Sequence, residues 1–222
     1  MTGPFVALPP REQWRPLAVL SGTFAVWFAL CYGGGAFVSA YIPWRVWVEL
    51  PLDAQLPYHP GAALLYLTIG PMLLLAPFVL RDLASLLPLF AALMLETTIG
   101  GLCFLLLPID DAPVTCGADT LACAVFRAAD ALNLHHNNLP SLHVAFAATL
   151  ALAFSARSGG GGALLMHAWA VAVAVSTLFT RQHFMVDVIV GLLLAVICWR
   201  VAGNWARRPE VIARFESRLG SG

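Results

Sequence analysis

The sequence predicts an all-α fold: an integral membrane bundle of six transmembrane helices with both termini in the cytoplasm. Three observations predict it. The 222-residue chain is 60% hydrophobic and only 11% charged, with a mean hydropathy of +0.81, well outside the balance of soluble domains. Six apolar runs, at 16–40, 61–80, 83–107, 141–156, 162–181 and 187–206, reach or approach the roughly 20 residues that a helix needs to cross about 30 Å of hydrocarbon. The basic residues, all of them arginine, divide unequally between the connections.

Taken in order, Arg11 and Arg15 precede the first run, which ends Val38-Ser39-Ala40. That pattern also resembles a cleavable leader, but the run is about twice the length of a leader's apolar core and reads as an uncleaved span. Pro16 and Pro140 open two helices, where a missing N–H costs nothing, and Pro43, Pro51, Pro60 and Pro108 punctuate the connections. Arg81, Arg157, Arg200, Arg207, Arg208, Arg214 and Arg218 join Arg11 and Arg15 on one side, against Arg45, Arg127 and Arg181 on the other. The excess marks the cytoplasmic side, so the 41–60, 108–140 and 181–187 connections face outward. The lysine-free, Ala-, Leu- and Gly-rich composition points to a bacterial cytoplasmic membrane, with those connections facing the periplasm or exterior.

No linker or repeat divides residues 1–222, which read as a single domain. SGGGG at 158–162 reads as a flexible cytoplasmic turn, and the polar tail after Gly203 as a short amphipathic helix. Cys31, Cys103 and Cys198 lie in apolar runs as small core residues, while Cys116 and Cys123 share the outer loop, where an oxidising compartment permits a disulfide. The formal net charge is zero, so nothing global argues for nucleic acid, and nothing in the chain signals an oligomeric state.

The polar residues concentrate outside. The 108–140 loop holds Asp110, Asp111, Asp119, Arg127, Asp130, His135, His136, Asn137 and Asn138, and within it LACAVFRAADAL reads as a short helix along the membrane surface. A connection this long in a compact protein is more often functional than idle. Two further outer segments fall at the same face: Pro140-Ser141-Leu142-His143, and Thr180-Arg181-Gln182-His183-Phe184-Met185-Val186-Asp187. His183 and Asp187 stand four residues apart, a spacing that in a helix stacks both on one side. The carboxylate then fixes one imidazole nitrogen and frees the other as nucleophile or base. Helix amides at Ser141 to His143, the Ser141 hydroxyl and the planar fork of Arg181 suit a phosphate. His143 is placed to protonate a leaving oxygen.

These stretches resemble the second and third signature motifs of the type 2 phosphatidic acid phosphatase and vanadium haloperoxidase superfamily. NNLPSLHVAF with TRQHFMVDVIVG is similar, more narrowly, to its branch that includes the inositol phosphorylceramide synthases. The resemblance is sharp from Asn137 to Gly191 and topological elsewhere. It implies a two-step phosphoryl transfer on a lipid phosphate without metal or cofactor, with His183 the nucleophile, Asp187 its orienting partner and His143 the acid and then base. Two departures stand out. Ser176-Thr177 occupies the place of the family's Ser-Arg pair, with the arginine at 181, and the family's first basic motif is missing; RxxxRP at Arg11 to Pro16 lies on the cytoplasmic side. Arg127 is the candidate replacement.

Other readings stand beside these. His143, His183 and Asp187 as plain interhelical hydrogen-bonding groups would suit one isolated pair better than two motifs meeting at one face. A zinc site lacks an HExxH or cysteine cluster. A proton-coupled transporter would spread polar groups through the membrane depth. Glu96, mid-span, reads either as a head-group or proton site or as a neutral residue bonded to Thr97, Thr98 or His167. His167 reads as structural. His135 and His136 read equally as pocket-mouth or solvated residues, Asn137 and Asn138 as caps with one free to meet a head group, and Gly33 to Gly35 as a close helix contact.

Overall fold

The computed structural model describes residues 4–110, 114–117, 120–134 and 136–219. Asp111, Asp119 and His135 of the outer loop lie outside the described residues. Among those described, the chain is helical, with one isolated bridge between Val46 and Ile109. In chain order the helices are α1 (Arg11–Ser39), α2 (Pro60–Val79), α3 (Leu83–Leu106), α4 (Leu121–Leu132), α5 (Leu142–Ser155), α6 (Gly160–Phe179), α7 (Met185–Ala206) and α8 (Pro209–Leu219). Five of them, α1, α2, α3, α6 and α7, are long and apolar enough to cross a membrane.

The exception among the six apolar runs is α5. Its 14 residues span about 21 Å at 1.5 Å per residue, short of the hydrocarbon thickness. It is the centre of the bundle, packed by α3, α6 and α7, and nearly every side chain from Leu142 to Phe154 is buried. A helix enclosed by other helices need not match the bilayer by itself. Exposed Trp14 and Trp205 ring one end of the bundle and Tyr41, Trp44 and Trp47 the other, the positions where amphipathic rings meet head groups.

Local chemistry explains the breaks. Asp82 caps α3 by accepting from the Ser85 amide at 2.8 Å, and α2 is interrupted at Leu67 and Thr68 just ahead of Pro71, which lacks an N–H to continue the first piece. Gly160 to Gly162 are helical rather than a loose turn: the Ala163 amide bonds the Gly159 carbonyl at 2.9 Å. The cost of about 1 kcal/mol per glycine is offset by the apolar helix that they begin. Pro16 does not open its helix: a 3-10 turn has already begun at Arg11, and Pro16 is the third residue of the α-helical part that starts at Trp14.

Two amphipathic helices cap the bundle. α8 buries Val211 and packs Ile212, Phe215 and Leu219 on the core while Arg214 and Arg218 face outward. At the other end α4 lays Phe126 and Ala129 on Ala63 and Tyr66 of α2. A disulfide from Cys116 to Cys123 folds the preceding loop back onto the start of α4, resolving the pairing that the sequence left open.

Candidate active site

The turn between α6 and α7 carries His183. At its start Arg181 adopts a left-handed conformation, φ 53°, which sends the amides of Gln182 and His183 back to the Thr177 carbonyl at 3.1 and 3.2 Å and closes the end of α6. Such a conformation strains any residue with a Cβ. Phe184 then caps α7, and Asp187, third residue of that helix, accepts from the Phe184 amide at 2.9 Å. The same Asp187 oxygen lies 3.5 Å from His183 Nδ1. His183 and Asp187 therefore meet across a helix start and not along one helical face, as their spacing suggested. Both imidazole nitrogens and Asp187 Oδ1 are buried without a hydrogen-bond partner.

The start of α5 meets this turn directly. Ser141, after the cis Leu139-Pro140 bond, is the cap of α5: its Oγ accepts from the Val144 amide at 3.4 Å, and its amide donates to the Asp187 carbonyl at 3.1 Å. Capping thus falls to Ser141 and not to Asn137 or Asn138. Asn137 instead donates to the Tyr32 carbonyl of α1 at 2.9 Å, and Asn138 is buried next to it. Pro140 precedes the helix and does not open it. Close approach of α5 and α7 depends on Gly191, where a Cβ would stand 2.6 Å from the Ser141 carbonyl oxygen. His143, in the first turn of α5, then faces His183 with ring centroids 5.7 Å apart. The two motifs, forty residues apart in sequence, form one cluster.

Three residues that the sequence did not single out support this cluster. Asp53 of the 41–60 connection accepts from the Met185 amide at 2.9 Å and from the Leu50 amide at 2.7 Å, holding the first turn of α7. Tyr66 of α2 stacks on the His143 ring at 4.2 Å. Gln182 donates to Asp130 at 2.9 Å and accepts from Asn133, which in turn accepts from the Tyr32 hydroxyl at 2.8 Å. That chain ties α4, α1 and the His183 turn together. An acidic residue in the proline-rich 41–60 connection and a tyrosine within an apolar run were the available signals.

The two arginines lie at the rim. Arg181 is exposed and donates to the Leu56 carbonyl at 3.4 Å. Arg127 is exposed on α4 and donates to the Cys116 carbonyl at 3.1 Å. Neither is hydrogen-bonded to His143 or His183 here. Near Arg181, burial and then the Asp130 charge push the Tyr58 hydroxyl above the usual phenol range, against the pull of the Arg181 cation. His136 bonds the Ile109 carbonyl at 2.9 Å.

A cleft of about 590 Å³ opens from His143 and Tyr66 and runs between α1 and α2 past Phe24, Phe28 and Leu73. Those three residues also line an adjoining cleft of about 390 Å³ that reaches Leu86 and Phe90 of α3. The cluster is thus joined to a long apolar groove. Deeper in the bundle, Glu96 accepts from the Thr149 hydroxyl of α5 and not from Thr97, Thr98 or His167, while His167 contacts Ser155 and the Ala163 carbonyl. Of Gly33, Gly34 and Gly35 in α1, only Gly35 lies close to a neighbour, Phe104. Among the described residues, no group of three His, Cys, Asp or Glu side chains is placed to hold a metal ion.

Compared with known proteins, residues 38–201 match a family model described as the PAP2 superfamily, a stretch that covers well over half of the chain and includes both motifs. No curated protein and no solved structure matches.

Proposed function

Because this chain belongs to the PAP2 superfamily, whose members are generally phosphatases, we propose that it is a membrane-embedded lipid phosphate phosphatase or phosphotransferase working through a phosphohistidine. One observation carries the reading. Two imidazoles face each other 5.7 Å apart, His143 half-buried at the cleft and His183 buried, and His183, next to a carboxylate, keeps both ring nitrogens without a hydrogen bond. Burying such groups without partners costs free energy, and an unsatisfied buried polar group of this kind is accounted for by a catalytic role.

Asp187, near Nδ1, favours the tautomer that leaves Nε2 of His183 with a lone pair. Nε2 attacks phosphorus, the P–O bond to the lipid breaks, and His143 gives its proton to the departing oxygen. Asp187 stabilises the imidazolium of the phosphohistidine. His143, now neutral, takes a proton from water, whose oxygen attacks phosphorus and breaks the P–N bond, returning His183 and releasing phosphate. With the Ser141 amide engaged by the Asp187 carbonyl, the Leu142 and His143 amides in the first turn of α5, the positive end of its dipole and the Ser141 hydroxyl hold the phosphoryl oxygens. Arg181 and Arg127 at the rim, with buried Asn138, attract and orient the head group. The hydrocarbon chain lies in the groove between α1 and α2.

The reading includes a topology. α5, fourth in chain order, brings the crossings to six, both termini are cytoplasmic, and the site faces the periplasm or exterior. A reporter fused after Gly222 that scores as periplasmic would place the site on the wrong side. An alcohol in place of water would make the same site a head-group transferase, the outcome that the likeness of NNLPSLHVAF and TRQHFMVDVIVG to the synthase branch favours.

The test is a phosphate-release assay on purified protein with phosphatidic acid, prenyl pyrophosphates and sphingolipid phosphates, products being identified by mass spectrometry. Turnover that is blocked by vanadate and untouched by EDTA is expected. Turnover lost to EDTA and indifferent to vanadate would instead indicate a metal enzyme.

A further inference from the structure

Resting on that reading of the site, we propose that Tyr66 is a substrate-binding residue. Its hydroxyl donates to a phosphoryl oxygen, in place of a basic side chain, and its ring holds His143 in register.

Three observations meet at this side chain. Tyr66 is only 3% exposed. Its ring stacks on His143 at 4.2 Å with an interplanar angle of 30°, which fixes the plane in which that imidazole can exchange protons. Its hydroxyl is buried without a hydrogen-bond partner, although the residue lines the same cleft as His143. Tyr32 in the same cleft makes the contrast. Its hydroxyl donates to Asn133 and accepts from the Leu134 amide at 3.3 Å, so it is spent on structure. A buried phenol without a partner costs about 1–3 kcal/mol relative to a satisfied one, and phenylalanine would supply the same stack without that cost. Retaining the oxygen makes sense if a ligand oxygen satisfies it. A neutral O–H donor aimed at an anion forms a short, charge-assisted hydrogen bond. Such a donor suits a site at whose rim Arg181 and Arg127 bond backbone carbonyls.

The experiment compares Tyr66→Phe, His183→Ala and Tyr58→Phe with the unaltered protein in detergent. It measures lipid phosphate turnover and, independently, the binding of orthovanadate by calorimetry. Tyr58 also has an unpartnered buried hydroxyl, but its ring packs edge-on against Phe126 outside the cleft. Tyr66→Phe is expected to lower kcat/KM by about 10- to 100-fold and to weaken vanadate by a similar factor, with melting temperature unchanged or raised. Tyr58→Phe is expected to match the unaltered protein. Tyr66→Phe within twofold of the unaltered protein in both turnover and vanadate affinity overturns the proposal, while loss of both in His183→Ala leaves the wider reading standing. If the unaltered protein neither turns over lipid phosphates nor binds vanadate, the wider reading falls and this proposal with it.

Discussion

Gly191→Ala is the sharpest perturbation that the structure offers, because it adds one methyl group and removes no ionisable or hydrogen-bonding atom. The new Cβ would stand 2.6 Å from the Ser141 carbonyl oxygen and 3.4 Å from its carbonyl carbon. Relief to an ordinary contact of about 3.4 Å demands roughly 0.8 Å of separation, and the obstructing atom is backbone, so no rotamer can absorb it. The shift acts on the seam where the Ser141 amide donates to the Asp187 carbonyl at 3.1 Å, which is also what sets His143 against His183. Overpacking of this kind costs about 1–3 kcal/mol. Gly to Ala within a helix returns about 1 kcal/mol, leaving a net loss of about 0–2 kcal/mol. Catalysis suffers more, since misplacing reacting groups by about 1 Å lowers rates on the order of 100-fold. Paired thermal unfolding and phosphate-release measurements check this, with Gly34→Ala as control because a Cβ there meets nothing within 4 Å. A Gly191→Ala protein with undiminished kcat/KM would refute the claim that this seam aligns the site.

Other substitutions separate the roles. Asp187→Asn keeps an acceptor for the Phe184 amide but removes the charge beside His183, so kcat should fall about 100-fold or more with little change in KM and in melting temperature; an equal rise in KM would point to substrate binding instead. Asp53→Ala removes the acceptor of the Met185 and Leu50 amides and should cost about 2–3 kcal/mol of stability, visible as a lowered melting temperature with activity lost in proportion. Asp53→Asn should recover part of both. Cys116→Ser opens a loop of sequence separation 7, for which chain entropy gives about 2–3 kcal/mol; reductant should reproduce the loss in the unaltered protein and have no further effect on the variant.

Much of this architecture was legible in the sequence because a run of about twenty apolar residues has few other uses. The ends of α3 and α6 fall within about two residues of the runs that predicted them, and LACAVFRAADAL is α4 to the residue. Reach and direction were harder to read. A four-residue spacing is the same along a helix or across its cap, so the sequence does not say by which geometry His183 and Asp187 come to lie 3.5 Å apart. The carboxylate at the third helical position turns back to the Phe184 amide and strands His183 in the turn. Arginine has a long stem, and composition does not say that the forks of Arg181 and Arg127 close on nearby carbonyls. Asp53 contacts a residue 132 positions away; such a contact has no local trace. Tyr66 looked like one more apolar residue in its span, and only the packing of α2 against α5 shows its ring on His143.

The central claim is that the phosphoryl group passes through the imidazole of His183. Rapid quenching of the enzyme in alkali during turnover, followed by peptide mass spectrometry, tests it most directly. The account predicts an acid-labile, alkali-stable phosphate on His183, absent from His183→Ala and accumulating in His143→Ala when the substrate carries a good leaving group. Phosphate found on another residue, or turnover persisting in His183→Ala, would contradict it.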